Sequence, residues 1–318
     1  MVPSDSCKGR VRLQLTALLR DAYGVKLADR RAVPFGGGTL PAFCFAADMP
    51  KGTIVAFGGF DSYIEEFFPI LLLLRGRGWT VVAFEGPGQG EVLEEGRRSM
   101  TANWYEPVAA VLDAYGLDDV TLLGISLGGC LAIRAAAFEP RVKRVIAFDA
   151  MTDVLSCMLR QLPPAGARVM PWLLRLHVRW AVNGISRAVA RRRPVVEWGL
   201  AQATHVLGCA TPFDVFKVAA SFRTADISEH VAQDVLLLAG ADDHYVSLAQ
   251  LWVQAALLTA ARSVSCRVFS RADDAQAHCQ IGNLPLAISV MVDWLEQVGD
   301  TESFNLGGYQ PVVETVAK

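Results

Sequence analysis

The chain has 318 residues, enough for one large domain or a core with a smaller insertion, and 52% of them are apolar, so a sizeable buried core is within reach. Its formal charge of −2 excludes the concentrated basic character of a nucleic-acid binder. The densest basic cluster, Arg187 with Arg191, Arg192 and Arg193, reads as a solvated helix end. At the amino end, residues 1–10 are polar and residues 11–19 are interrupted by Arg12, Gln14 and Thr16, so no signal peptide is expected. A helix follows at about 10–23, within an N-terminal helical segment expected over 1–40. From residue 41 an α/β core is expected. Thr53–Phe57 reads as a strand, 64–75 as a helix, Thr80–Phe84 as a strand, 101–115 as a helix, 120–123 as a strand, 127–138 as a helix and 144–148 as a strand. Strands apolar on both faces and separated by helices imply a mostly parallel sheet covered on both sides.

After residue 150 the alternation stops. Residues 151–228 carry helical patterns with Trp172, Trp180, Trp198, Phe213, Phe216 and Phe222, and read as a helical cap inserted after the fourth β/α unit. The core resumes over 229–300 with a strand at 235–239, a helix at 248–261, a strand at 265–269 and a helix at 280–298; residues 301–318 read as a tail. No apolar run approaches the roughly 20 residues needed to span a bilayer. The seven cysteines (Cys7, Cys44, Cys130, Cys157, Cys209, Cys266, Cys279) have neither metal nor disulfide spacing. They read as small apolar residues of a reducing compartment, and the expected location is cytoplasmic.

Gly124-Ile125-Ser126-Leu127-Gly128 lies between a predicted strand and a predicted helix, which makes Ser126 a candidate nucleophile on a strained elbow of an α/β-hydrolase fold. The alternative is a plain glycine-rich turn. In this fold the acid and then the histidine follow the serine. Gly240-Ala241-Asp242-Asp243 ends a later strand; Asp243 is the expected acid, with Asp242 the alternative. Of five histidines, only His278 follows the last strand and precedes the last helix, the place for the base; a surface-loop histidine is the bland alternative. The amides of Leu127 and Phe60 are the candidate oxyanion donors, because Gly58-Gly59 lets backbone approach a substrate. No metal or dinucleotide signature competes, so no cofactor and no metal are expected. Gly86-Pro87-Gly88-Gln89-Gly90 does not match a phosphate loop and reads as an active-site edge.

Four segments form a more specific set: 57–66 (Phe-Gly-Gly-Phe-Asp-Ser-Tyr-Ile-Glu-Glu), 84–91 (Phe-Glu-Gly-Pro-Gly-Gln-Gly-Glu), 124–129 and 277–283 (Ala-His-Cys-Gln-Ile-Gly-Asn). Together they resemble the α/β-hydrolases that include 2,6-dihydropseudooxynicotine hydrolase and fungal polyketide-shortening hydrolases, over about residues 50–298. That resemblance implies cofactor-free hydrolysis of a C–C bond next to a ketone, of retro-Claisen type, in a diketone or polyketide-like substrate. It also implies an auxiliary acid near the nucleophile, for which Asp61 is the candidate, with Glu65 and Glu66 close behind. Asp61 could equally cap the helix beginning near residue 64.

Three other functions share the same residues or scaffold: a carboxylesterase or thioesterase, an acyl-transferring cyclase, and a non-catalytic binding protein. The expected partner is an apolar or aromatic small molecule lodged among the cap aromatics, which could equally be core packing. His205 and His230 read as structural. No nucleic acid or membrane partner is expected, and a homodimer through the N-terminal helix or the cap is the alternative to a monomer.

Overall fold

A computed structural model describes residues 8–61 and 63–304. An eight-stranded sheet in the order β1-β2-β4-β3-β5-β6-β7-β8 forms its centre. Strands β3 (Thr53–Phe57), β4 (Thr80–Phe84), β5 (Val120–Ile125), β6 (Val142–Phe148), β7 (Asp234–Gly240) and β8 (Ser263–Phe269) are all parallel. Every residue of β5 and β7 is buried, as a strand covered on both faces requires. Helices α4 (Tyr105–Tyr115), α5 (Leu127–Ala136) and α11 (Leu248–Leu257) cover one face. Helices α2 (Phe68–Gly76) and α12 (Leu284–Phe304) cover the other, with Phe68, Leu71, Met291 and Trp294 in its core.

The sequence reading is corrected at the amino end. Helix α1 (Lys8–Tyr23) stops well before residue 40, and β1 (Arg30–Phe35) pairs with β2 (Gly38–Phe45) in an antiparallel hairpin that joins the sheet beside β4. Gly36 and Gly37 take φ of +51° and +79°, the left-handed pair that a two-residue hairpin turn demands. Pro34 is tolerated because β1 is the edge strand. The expected helix at 280–298 begins instead at Leu284, after a tight turn at His278–Gln280. Residues 305–318 of the expected tail lie outside the described residues.

Between β6 and β7, helices α6 (Val154–Arg160), α7 (Pro164–Arg175), α8 (Arg179–Ala190), α9 (Pro194–Val206) and α10 (Pro212–Ala219) pack on a small core of their own that includes Met170, Val182 and Phe213. Trp172 and Trp180 point outward, 64% and 81% exposed, so they serve neither that core nor a cavity. Among the described residues no helix is long and apolar enough to cross a membrane.

Candidate active site

The turn from β5 into α5 places Ser126 at φ +60°, ψ −123°, a strained conformation for a residue with a side chain. The turn closes only because its neighbours are glycine: a Cβ on Gly124 would sit 1.9 Å from the carbonyl oxygen of Gly128. Ser126 N–H donates to Phe148 O at 2.5 Å, tying the elbow to the end of β6.

Oγ of Ser126 lies 2.8 Å from Nε2 of His278, and Nδ1 of His278 lies 2.6 Å from Oδ2 of Asp243. Asp243 is 4% exposed, and its Oδ1 accepts the amides of Tyr245 at 2.7 Å and Val246 at 3.0 Å. Burial alone would push its carboxyl up. The hydrogen bond and charge of His278, with those two amides, hold it below the usual carboxylate range. Asp242, the alternative acid, points away and pairs with Arg271 at 2.6 Å. The structure therefore brings Ser126, His278 and Asp243 together and leaves Asp242 outside.

Sequence reasoning missed one group. Asp149, at the carboxyl end of β6 and fully buried, brings its Oδ2 to 2.9 Å from Nδ1 of His278. Nothing in the local sequence marks it, since it is simply the residue after a strand. Asp149, His278 and Cys279 have ligand atoms within 4.8 Å of one another. Those of Asp149 and His278 are already engaged in the hydrogen bonds described here.

Phe60 and Leu127, the candidate oxyanion donors, line the same cavity as the serine. A Cβ on Gly59 would lie 2.8 Å from Leu127 N, so glycine is what lets the loop after β3 close on the start of α5. That loop is braced from the 85–90 segment. Gln89, 3% exposed, donates through Nε2 to Gly58 O at 2.7 Å and Gly59 O at 3.2 Å, and accepts Gly86 N–H at 2.9 Å. Glu85 accepts the amides of Ile64 at 3.2 Å and Glu91 at 2.7 Å. Gln202 of α9 donates to Phe60 O at 3.2 Å, linking the inserted helices to the same loop.

A cavity of about 450 Å³ opens over Ser126. Its walls are apolar, with Phe216 and Phe222 from the inserted segment and Trp198 from α9. Asp61, Glu66 and His278 are its carboxyl and imidazole groups, Cys157, Cys279 and Tyr245 also line it, and no lysine or arginine does. Burial raises Asp61, against the opposing pull of His278. Burial and the neighbouring Asp61 push Glu66 up to about 7. Asp61 is not the helix cap: α2 starts at Phe68 after Phe67, and Tyr63 precedes the 3-10 turn at Ile64–Phe67. Glu65 departs from the expectation. It turns to Arg20 of α1 at 3.5 Å and does not line the cavity, whereas Glu66, one residue on, does. His205 pairs with Glu94 at 3.2 Å and His230 is 56% exposed; neither lines the cavity.

Residues 48–271 match the family described as serine aminopeptidase, S33 (Hydrolase_4). Among curated relatives, the 20-hydroxy-prefusarin hydrolase of Gibberella moniliformis is 30% identical over 207 residues, 61% of this chain and 46% of that protein. The 2,6-dihydropseudooxynicotine hydrolase of Paenarthrobacter nicotinovorans is 31% identical over 135 residues, 40% of this chain and 36% of that protein. The chain spans about half the length, or less, of these curated relatives. A solved 2,6-dihydroxy-pseudo-oxynicotine hydrolase superposes with a TM-score of 0.68 at 21% identity, covering 92% of this chain and 74% of that one, which shows the shared fold. With the family match extending over most of its length, the chain belongs to the serine aminopeptidase S33 (Hydrolase_4) family of α/β-hydrolases.

Proposed function

We propose that this protein hydrolyses a C–C bond next to a ketone, using Ser126 as nucleophile, His278 as base and Asp243 as the acid that orients it. The observation that carries this reading is that two raised carboxyls, Asp61 and Glu66, line the same cavity as the serine. Ser126 Oγ adds to the ketone carbonyl as His278 takes its proton, and the amides of Leu127 and Phe60 receive the oxyanion. Ester hydrolysis needs only an oxygen leaving group. Cleavage between carbons expels an electron pair that must be held as an enol or enolate and protonated. A carboxyl still protonated near neutral pH supplies that proton, and Glu66, pushed up to about 7 by burial and the neighbouring Asp61, meets the requirement. The imidazolium of His278 gives the serine's proton back to the emptied carboxylate. His278 then deprotonates water, which attacks the acyl-enzyme, and returns that proton to Ser126 Oγ as the carboxylic acid leaves.

The substrate follows from the same wall. A largely apolar cavity that offers two carboxyls and no lysine or arginine to pair with an anion suits a neutral, apolar diketone or polyketide-like chain. Helices α6–α10 act as the cap that shuts out water, with Gln202 carrying their position to the Phe60 loop. The curated relatives named 20-hydroxy-prefusarin hydrolase and 2,6-dihydropseudooxynicotine hydrolase support hydrolysis of a small molecule.

The test is product quantification from a β-diketone panel and from p-nitrophenyl esters, with Ser126→Ala as control. Paired acid and ketone products, lost in Ser126→Ala, are expected. Fast ester turnover without diketone cleavage would leave an esterase instead, and missing label in products made in ¹⁸O-water would indicate acyl transfer.

A further inference from the structure

The Nδ1 atom of His278 faces two carboxylates, and the mechanism above uses only one. Asp149 spends Oδ1 on Gln280 Nε2 at 2.8 Å and Oδ2 on the Cys279 amide at 2.8 Å, with the same Oδ2 2.9 Å from Nδ1. A fully buried carboxylate is costly unless its oxygens are satisfied. Here every partner lies on the three-residue turn that carries the histidine. That turn is itself strained: Cys279 and Gln280 have φ of +50° and +46°, conformations that non-glycine residues seldom adopt. The other side of Asp149 is anchored to the nucleophile. A Cβ on Gly129 would meet Asp149 O at 2.0 Å, so the second glycine after Ser126 is what lets β6 end against the elbow.

We propose that Asp149 is a positioning residue that fixes the His278 turn to the elbow and offers Nδ1 a second carboxylate beside Asp243. The proposal rests on the Ser126–His278–Asp243 reading. Burial disfavours a charged imidazole, but Asp149 and Asp243 together hold His278 well above the usual imidazole range. The other ionisable groups around it are Cys279 on the same turn, Asp61 across the cavity, Cys157 of α6, and the Tyr245 and His244 rings at 5.2 and 6.3 Å. Removing the Asp149 charge therefore eases loss of the imidazolium proton, while loosening the turn misplaces Nε2.

The experiment compares Asp149→Asn, Asp243→Asn and the double variant. Thermal unfolding and fluorophosphonate titration count the folded, labelled fraction before rates are normalised. For Asp149→Asn, kcat falls about 10-fold with KM within about twofold, and the acid limb of kcat/KM moves to lower pH. In the Asp243→Asn background the surviving carboxylate still accepts from Nδ1, so adding Asp149→Asn there costs at least about 10-fold more than it does alone. An unmoved acid limb, or equal losses in both backgrounds, overturns the proposal and leaves Asp149 a purely structural group. Normal turnover by Ser126→Ala would instead remove the underlying mechanism, whatever Asp149→Asn does.

Discussion

The side-chain amide of Gln89 hydrogen-bonds the carbonyl oxygen of Gly58 at 2.7 Å, joining the glycine-rich segment after β4 to the loop that presents Phe60 beside Ser126. A glutamine is suited to this junction because its Nε2 reaches two carbonyls while its Oε1 takes the amide of Gly86. Gln89→Leu keeps the volume and removes all three bonds. The Phe60 amide then loses its aim at the proposed oxyanion, and kcat should fall about 10- to 100-fold with a smaller change in KM. Steady-state kinetics beside a melting curve checks this; a loss of stability with unchanged kcat would mean that the brace serves folding alone.

The Asp61–Glu66 pair predicts opposite behaviour for two substrate types. With Glu66 titrating at about 7, its protonated fraction shrinks as pH rises through neutrality. Cleavage of a β-diketone should therefore decline above about pH 7 in a way that ester hydrolysis does not. Glu66→Gln and Asp61→Asn should each lower diketone cleavage by about 10²-fold, the usual scale for a proton donor, and leave ester turnover within a fewfold. Equal losses on both substrates would point to a role in binding or folding.

Two aspartates adjacent in sequence should differ sharply in consequence. Asp243 is buried against His278, while Asp242 faces outward to Arg271. Asp243→Asn should cost up to about 10⁴-fold in kcat through the wrong histidine tautomer, with any shortfall attributable to the carboxylate of Asp149. Asp242→Asn breaks only a solvent-screened ion pair with the exposed Arg271 and should leave kinetics unchanged. Parallel assays of the two variants at one pH suffice.

The contrast between these residues also marks where sequence reasoning works. The proximity of the candidates Ser126, Asp243 and His278 was legible because each follows a strand of the parallel sheet at the same edge, and the structure brings the three side chains together. Strands β3 to β7 were legible because both faces are largely buried and their residues are accordingly mostly apolar. The β1–β2 hairpin was not, since Arg30, Arg31 and Pro34 suit an exposed edge and weaken the strand pattern, although Gly36-Gly37 is a hairpin signal. Asp149 was invisible for a different reason. Its significance is its distance from a residue 129 positions later, and no local pattern encodes that. Choosing between Glu65 and Glu66 likewise needed to know which side of a 3-10 turn faces the cavity.

Glu85 offers a test of stability against pH. It is 4% exposed, and burial with the nearby Glu65 raises its carboxyl from an ordinary 4.5 to about 7. The folded protein therefore keeps a proton that the unfolded chain releases above pH 4.5. This contribution to stability is fully present below about 4.5, and is lost progressively as pH climbs to about 7. Glu85→Gln abolishes the titration but leaves one oxygen to serve two backbone amides, those of Ile64 and Glu91, a loss of about 1–3 kcal/mol. The variant should thus be less stable than the native chain at pH 5, and the gap should narrow by pH 8, where the native carboxylate bears the cost of burying its charge. Urea unfolding of both proteins at the two pH values measures the gap. A gap that stays constant or widens at pH 8 would show that Glu85 is already ionised at pH 5, its charge held by those two amides.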